Sequence, residues 1–468
     1  MLSRRNFLKA AALPALPPSQ AAQRPLNFVF ILIDDYGWTD TGYNGSTFYE
    51  TPNIDRLARS GMIFTNGYSA SPVCTPTRAA IMTGKYPARL GLTSHAQGAH
   101  RLPYSKVLPP QFPLALPLAE KTIAESLKEK GYRTAAIGKW HLGGNGFLPQ
   151  DQGFDVSYGG DIAGSTSSFF YPKWKSKIPL EGQAGDYLTD RLTSLAVNFI
   201  EESKQNPFFL YLPHFAVHTP IEGKPNLVEK YNRKADPTKP QNYGEYAAMV
   251  ESVDDSVGRI LETLDRLKLT DNTAVIFTAD NGGVTSREWR NRPVTSNLPL
   301  RSGKGHLYEG GIRVPLCVRW PGLTKPNTKS DQPVYAVDYA ATLTGMRNTD
   351  GIDFRAALSG KQLPQRDLFW HYPHYSPQLG RPSAALRHGN HKIIRFFEDN
   401  RHELYNLSTD LGEQNDLAPK NPQLLATMTT RLDKMLKHAQ AKIPQPNPNY
   451  DPTKESQPGP PMGPVPEK

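Results

Sequence analysis

The sequence predicts an α/β fold, in which a mainly parallel sheet is covered by helices on both faces and is followed by a small antiparallel sheet. Two observations support this prediction. As far as residue 362 of the 468-residue chain, short continuous apolar runs alternate with segments of helical periodicity, as in strands buried on both sides. Beyond it, short strand-like segments separated by turn residues are typical of an antiparallel sheet.

Four short runs are predicted to be strands of the large sheet, and polar residues follow each of them closely. The runs are 27–33, 133–137, 207–212 and 273–279, and the polar segments are 34–35, 139–141, 214–218 and 280–281. Ligands of such sheets bind beyond the carboxyl ends of the strands. The four polar segments are therefore expected to meet at one edge of the sheet.

Two segments between these runs are predicted to be helices. Thr122 and Glu125 have the spacing of a capping box, which starts a short helix that Gly131 ends. A longer helix is predicted over 245–267, because apolar residues recur there at helical spacing. Its apolar stripe is interpreted as core packing rather than as a cofactor site.

The chain is predicted to have four parts. These are a twin-arginine-type signal peptide (1–22), a large catalytic domain (25–362), a C-terminal subdomain (363–440) and a proline-rich disordered tail (441–468). In the subdomain, short strands are expected at 367–370, 384–386, 392–397 and 403–407, with a helix over 422–439. The last 26 residues contain nine prolines, too many for a packed core.

The N-terminus reads S-R-R-N-F-L-K and continues into a stretch rich in alanine and leucine. This pattern resembles a twin-arginine export signal, which predicts a periplasmic or extracellular protein. Its apolar part is short and interrupted by prolines, so no membrane span is expected. A frayed basic terminus is the alternative interpretation.

The composition narrows the function further. The formal net charge is +10, which suits an anionic substrate but fits an inert basic surface equally well. The sequence contains no block of like charge, so nothing in it indicates nucleic-acid binding. There are two cysteines, Cys74 and Cys317, so no disulfide framework is implied. Cys317 lies in an apolar run and is interpreted as a buried strand residue.

The pairs Asp34-Asp35 and Asp280-Asn281 provide three carboxylates and one amide oxygen. Hard oxygen ligands of this kind suit calcium or magnesium rather than zinc. Adjacent carboxylates would also repel each other strongly without a cation between them. Taken alone, each pair fits helix caps and turns as well as a metal site.

Residues 74–84 read C-T-P-T-R-A-A-I-M-T-G, a C-x-P-x-R-x-x-x-x-T-G pattern that resembles the signature of the type I sulfatases. The resemblance extends from about residue 25 to residue 418. It implies an alkaline-phosphatase-like α/β/α sandwich with a small C-terminal subdomain. It also implies that a maturation enzyme oxidises Cys74 to formylglycine, the nucleophile. One calcium ion would be held by Asp34, Asp35, Asp280, Asn281 and the modified Cys74.

The resemblance assigns roles to five further residues. Lys139, in G-K-W-H-L-G, and Lys304, between two glycines, would contact sulfate oxygens. His141 would act as the base that breaks down the intermediate, and His218, in H-T-P, would protonate the leaving alcohol. Arg78 would hold the formylglycine or a ligand carboxylate. Lys139 and His141 are expected on one side of an extended segment. A solvated lysine and a structural histidine are the alternatives.

The resulting prediction is a calcium-dependent, formylglycine sulfatase acting on a sulfated carbohydrate. A metal-dependent phosphodiesterase or phosphonate hydrolase is the nearest alternative, and a glycan-binding pseudoenzyme with unmodified Cys74 is a second. His306 fits either a sugar contact or a loop. The aromatic and basic group at 370–381, which includes Arg381, fits a sugar clamp or, more simply, a surface loop.

Overall fold

The computed structural model describes residues 24–96, 102–286 and 289–457. The predicted signal peptide and the end of the predicted tail lie outside these residues. Among the described helices, none combines the length and apolar character that a membrane crossing requires.

The strands of the described residues fall into one large sheet, one four-stranded sheet and two small pairs. In chain order they are β1 (Asn27–Ile33), β2 (Met62–Phe64), β3 (Gly67–Tyr68), β4 (Val107–Leu108), β5 (Arg133–Ile137), β6 (Val156–Tyr158), β7 (Phe208–Pro213), β8 (Thr273–Ala279), β9 (Leu316–Arg319), β10 (Thr328–Ser330), β11 (Val334–Tyr335), β12 (Asp367–Tyr372), β13 (Ser383–His388), β14 (His391–Phe396), β15 (His402–Asn406) and β16 (Gln445–Pro446).

The α-helices vary from a single turn to more than six turns. In chain order they are α1 (Pro52–Ser60), α2 (Cys74–Thr83), α3 (Pro87–Leu90), α4 (Ile123–Lys128), α5 (Leu188–Ser203), α6 (Pro225–Lys234), α7 (Gly244–Arg266), α8 (Glu309–Ile312), α9 (Asp338–Thr344), α10 (Arg355–Leu358) and α11 (Pro422–His438). Both hydrogen bonds of the capping box predicted at Thr122 are present, and they start α4.

The large sheet has the strand order β10-β2-β9-β8-β1-β7-β5-β6. Strand β9 pairs antiparallel with both of its neighbours, and the other pairs of this sheet are parallel. The prediction of a mainly parallel sheet is confirmed. Strands β5, β7, β1 and β8 are consecutive in this order and run in one direction, so their carboxyl ends lie at one edge.

Helices cover both faces of the sheet, as predicted. Successive side chains of β1 enter two different cores, because side chains alternate across a strand. Phe28, Phe30 and Leu32 pack with α2, α4, α9 and the small sheet. The alternate residues 29, 31 and 33 pack with α1, α5 and α7 on the other face. Cys317 is buried in the second core, in agreement with the prediction of an inert strand residue.

The C-terminal subdomain is an antiparallel sheet of four consecutive strands, β12 to β15, against which α11 packs. The aromatic group at its first strand differs from the predicted surface loop. Trp370, Tyr372 and His374 are buried, and the Trp370 indole donates a hydrogen bond to the Ser69 carbonyl at 2.7 Å. Arg381, in contrast, is exposed and pairs with Glu398. Trp370 therefore packs against the segment that follows β3, and the aromatic group is not a surface loop.

The first part of the predicted disordered tail is ordered. Strand β16 pairs antiparallel with β4, and Asn447 donates hydrogen bonds to the carbonyls of Pro103 and Ser105 at 2.9 and 2.7 Å. A proline lacks the N–H that an inner strand needs, but an edge strand tolerates it. Proline content therefore excludes a central strand here without excluding order.

A buried ionic cluster joins the subdomain to the large domain. Lys392 of β14 lies 2.9 Å from Glu309, the first residue of α8, and 2.8 Å from Glu413, which follows β15. All three side chains are fully buried. Burial lowers the pKa of Lys392, but the two glutamates outweigh it and raise the pKa above its usual value. The lysine charge thus balances carboxylates from both parts.

We expect Lys392→Met to lower the free energy of unfolding by about 3–5 kcal/mol, since Glu413 loses its buried counter-charge and Glu309 keeps only its ion pair with Arg313 among the described residues. Lys434→Met is the matched control, because Lys434 lies exposed on α11. The control should change the stability by less than about 0.5 kcal/mol. Urea unfolding measures both. Equal, small losses in the two variants would contradict this role of the cluster.

Candidate active site

The four polar segments predicted from the sequence meet at one edge of the large sheet. The Lys139 amine, beyond β5, lies 2.6 Å from Asp34 Oδ2, beyond β1. The Asn281 amide, beyond β8, donates to Asp35 Oδ1 at 2.8 Å. His218, beyond β7, places Nε2 at 3.6 Å from Asp35 Oδ2. Residues distant in sequence thus form one pocket.

Gly138 turns the chain from β5 into this pocket. Its φ is 128°, and a Cβ atom there would lie 1.9 Å from the carbonyl oxygen of Pro213. The next residue, Lys139, donates its N–H to the same oxygen at 2.7 Å. His141 has a φ of 59°, so the segment is not extended as predicted. A turn, rather than strand alternation, brings both side chains to the pocket.

Cys74 is the first residue of α2 and is 1% exposed. Its Sγ lies 3.4 Å from His141 Nδ1. Burial raises the pKa of the thiol, but Lys139 and His141 outweigh it and hold the pKa well below its usual value. Arg78, one helical turn later, donates to Asp280 Oδ2 and to the carbonyl of Lys139, at 2.9 and 2.7 Å.

Three cations balance three carboxylates in this buried pocket. Lys139 pairs with Asp34, Arg78 with Asp280, and Lys304 with Asp35 at 2.8 Å. Each of these side chains is at most 3% exposed. Burial still raises the pKa of Asp34 well above its usual value, and the carboxylates of residues 280 and 35 add to this rise. Asp34 therefore remains short of positive charge, whereas burial at Asp35 is outweighed by Lys304 and His218, which lower the pKa.

The donor set fits a divalent cation with a preference for oxygen. One ligand atom each from Asp34, Cys74 and Asp280 lie within 4.8 Å of one another. Within the described part of the chain, Asp34 Oδ1 and Asn281 Oδ1 are buried oxygens without a hydrogen-bond partner. A hard cation would satisfy these oxygens, while a thiol is a poor ligand for it.

Two histidines of the pocket, His141 and His218, are neutral in this state. Burial lowers the pKa of His141 to about 4 and that of His218 to about 3. His218 Nδ1 lies 2.8 Å from the carbonyl oxygen of Thr219 and must donate to it. Its Nε2 therefore carries the lone pair and faces the pocket.

Three non-glycine residues next to these groups have left-handed backbone conformations. The φ angles are 57° at Asp35, 59° at His141 and 59° at Ser302, two residues before Lys304. Such conformations are strained for residues with a side chain, and they cluster at functional sites. Here they aim a carboxylate, an imidazole and an amine at one point.

The sequence matches the Sulfatase family over residues 26–348 and the family described as N-sulphoglucosamine sulphohydrolase, C-terminal, over residues 302–442. The chain belongs to the sulfatase family. It is a sulfuric ester hydrolase of the alkaline phosphatase superfamily.

Several relatives resemble the sulfatase over most of its length. A sulfatase of Formosa agariphila is 32% identical over 87% of this chain and 88% of its own. The N-acetylgalactosamine-6-sulfatase of Mus musculus is 32% identical over 83% and 75%, respectively. The crystal structure of Ps i-CgsB in complex with k-i-k-neocarrahexaose is 30% identical, with a TM-score of 0.76 over 92% of this chain and 96% of that chain.

His214 and His306 are two further histidines near the pocket, and their hydrogen bonds indicate structural roles. His214 bonds to the hydroxyl of Ser256 at 2.9 Å, behind the pocket, as expected of a packing residue. His306 Nδ1 lies 3.2 Å from the carbonyl oxygen of Lys304, which fits the loop interpretation.

His95 is a pocket residue that sequence reasoning missed. Its ring centroid lies 6.2 Å from that of His141, and it helps to lower the pKa of Cys74. It belongs to no periodic pattern and follows no strand. Only the fold brings it to the pocket.

Gly164 leaves the space that the His141 ring occupies. A Cβ atom at Gly164 would lie 2.5 Å from His141 Nε2. We expect Gly164→Ala to displace the ring and to lower kcat for 4-nitrophenyl sulfate by about 100-fold, the cost of misplacing a catalytic group by about 1 Å.

Gly144→Ala is the matched control, because a Cβ atom there meets nothing closer than 3.6 Å. The control should stay within about twofold of the wild type, since an ordinary van der Waals contact displaces nothing. Thermal melting of both variants checks the fold. Similar activity in the two variants would contradict the assigned position of His141.

Proposed function

We propose that the sulfatase hydrolyses oxygen-linked sulfate esters of sulfated carbohydrates, using a formylglycine formed from Cys74 and one bound calcium ion. The observation that carries this proposal is the position of Cys74. It starts a helix inside a buried pocket that also contains three carboxylates, three cations and two histidines. Such a pocket is organised in advance for a group that gains negative charge.

The carbohydrate substrate is supported by the relatives and by charge. One relative is named for N-acetylgalactosamine 6-sulfate, and one structural neighbour is a complex with a neocarrahexaose. The formal net charge of +10 also suits an anionic substrate. The relatives favour a sulfated sugar, and the positive charge is compatible with one.

Asp34, Asp35, Asp280 and Asn281 would hold the calcium ion. When bound, the ion would supply positive charge next to residue 74 and the sulfate group. It would also neutralise carboxylates that now depend on Lys139 and Lys304. Both lysines would then be available to sulfate oxygens, which is the role that the family resemblance assigns to them.

Hydrated formylglycine would supply an oxygen nucleophile for sulfur and a second hydroxyl that takes part in sulfate release. His141 supports this chemistry from the protein side, because its Nδ1 lies 3.4 Å from the side chain of residue 74 and is neutral. In the tautomer with the proton on Nε2, Nδ1 can accept a proton there. Arg78 positions Asp280 and the backbone of Lys139.

His218 would deliver the proton to the leaving alcohol from Nε2. Its free Nε2 faces Asp35, and its Nδ1 is fixed by the carbonyl of Thr219. In the present state Lys304 helps to keep it neutral. An anionic sulfate group beside it would favour uptake of the proton.

Export by the twin-arginine route remains our prediction from the N-terminal sequence. Folding and maturation of Cys74 would then precede export. N-terminal sequencing of the secreted protein tests this, with a start near residue 23 expected. Retention of an uncut chain inside the cell would contradict export.

We expect Asp280→Ala to lower the calcium content below one ion per chain and to lower the free energy of unfolding by about 3–5 kcal/mol, because Arg78 loses its buried partner. Asp353→Ala is the control, since Asp353 is exposed and pairs only with Arg355 among the described residues. Atomic emission and urea unfolding measure the two effects. Unchanged calcium stoichiometry would remove Asp280 from the ion site.

We expect the loss of activity in His218→Ala to increase with the pKa of the leaving alcohol, because only poor leaving groups need a proton donor. The measurement is kcat/KM for a series of aryl and alkyl sulfates. His214→Ala is the comparison, since His214 bonds to Ser256 outside the pocket. An equal loss across the whole series would argue against an acid role.

Matched sulfate, phosphate and phosphonate esters test the proposed function as a whole. The enzyme, produced with a formylglycine-generating enzyme, should prefer the sulfate ester by more than about 100-fold, or about 2.7 kcal/mol. Cys74→Ala provides the inactive reference. Preference for the phosphate or phosphonate ester would favour the alternative hydrolase. Tight glycan binding without turnover would favour the pseudoenzyme.

A further inference from the structure

Two segments that the catalytic roles do not involve close the pocket on the side of the C-terminal subdomain. The first follows α3 and contains Ser94. Its Ala96 N–H donates to Thr75 Oγ1 at 3.1 Å, which ties it to the start of α2. Its Thr93 hydroxyl bonds to His374 Nε2 at 2.8 Å, which ties it to the second segment.

The second segment follows β12 and packs against the residue after Lys304. A Cβ atom on Gly380 would lie 1.7 Å from the carbonyl oxygen of Gly305, and a Cβ atom on Gly305 would lie 2.2 Å from Ser376 Oγ. The backbones of Gly380 and Gly305 are therefore in direct contact. The two segments together span from the nucleophile position to the second predicted sulfate-binding lysine.

This part of the pocket contains two buried hydroxyl groups that the protein does not satisfy. Tyr372, the last residue of β12, and Ser94 are each 1% exposed. Neither hydroxyl makes a hydrogen bond of ordinary geometry among the described residues, although Ser94 and Ser376 lie near enough to the phenol to lower its pKa. A buried polar group left without a partner lowers stability. Beside a pocket, an ordered water or a ligand can complete such a group.

The Tyr372 hydroxyl is a permanent donor near the reacting groups. Burial raises its pKa, while the nearby hydroxyls of Ser376 and Ser94 oppose the rise. Its ring lies 5.6 Å from that of His374, which bonds to Thr93, the residue before Ser94. A neutral phenol donates one hydrogen bond, and a serine hydroxyl both donates and accepts.

We propose that Tyr372 and Ser94 bind a hydroxyl group of the sulfated sugar next to the sulfate ester, and that they thereby select sugar esters over aryl esters. A sugar hydroxyl can accept from the phenol and donate to the serine, whereas a sulfate oxygen can only accept. Sulfate oxygens also have Lys139 and Lys304 as partners. This inference rests on the proposed function and specifies which part of the substrate is recognised.

The test compares a sugar ester with an aryl ester. A panel of galactose and N-acetylgalactosamine monosulfates identifies the best sugar substrate, and 4-nitrophenyl sulfate, which has no neighbouring hydroxyl, is the reference. In Tyr372→Phe and in Ser94→Ala, we expect the ratio of kcat/KM for sugar to kcat/KM for aryl ester to fall by about 10- to 100-fold.

Tyr375→Phe is the matched control. Tyr375 lies three residues away, but its hydroxyl already donates to Glu398 at 2.9 Å. Its removal should leave the ratio unchanged. Ser94→Ala is much the smaller change and keeps the test valid where Tyr372→Phe folds poorly.

A deoxy analogue of the sugar, without the hydroxyl next to the ester, provides the second arm. With the wild type it should lose about as much kcat/KM as Tyr372→Phe loses with the parent sugar, and the two losses should not add. Equal losses on sugar and aryl esters, or additive losses with the analogue, would overturn the assignment while leaving the sulfatase function intact. Absence of any sulfate ester turnover by the matured wild type would instead overturn the proposed function.

Discussion

The balance of charge at the ends of four parallel strands is the constraint on which the active site depends. Asp34, Asp35 and Asp280 are carried into a buried edge of the sheet because they follow strands that are buried along their whole length. Three carboxylates in such a place require positive charge within a few ångströms. Arg78, Lys139 and Lys304 provide it, and each reaches the edge from a different part of the chain.

This requirement explains local features that would otherwise be costly. Strained backbone at Asp35 and His141 and the close contact at Gly138 all serve to bring side chains to this edge. The C-terminal subdomain also helps to hold the residues around this edge. Its loop packs against Gly305 beside Lys304, and its strand β14 contributes Lys392 to the ionic cluster at α8. The small sheet therefore helps to hold the catalytic loops in place.

The sequence predicts the large features well because they depend on patterns within short windows. Continuous apolar runs predict β1, β5, β7 and β8 within a residue or two, and the polar residues that follow them predict the pocket. The capping box predicts the start of α4 in the same way. Contacts between distant segments leave no such pattern. The prediction was therefore wrong where it made residues 139–141 extended, favoured a surface loop at Trp370 and left residues 445–446 disordered. Tyr372 was noticed only as a member of the aromatic group, and the positions of His95 and Ser94 were missed.

The central claim is that Cys74 is not a thiol in the working enzyme but has become formylglycine. Its pocket supports this, since a thiol is a poor partner for the cation that the surrounding oxygens suit. The most direct measurement is the mass of the peptide that contains residue 74, from protein made in its native host or with a maturation enzyme. A mass that corresponds to formylglycine or its hydrate is the predicted result. An intact cysteine in protein from a host that matures other sulfatases would contradict it.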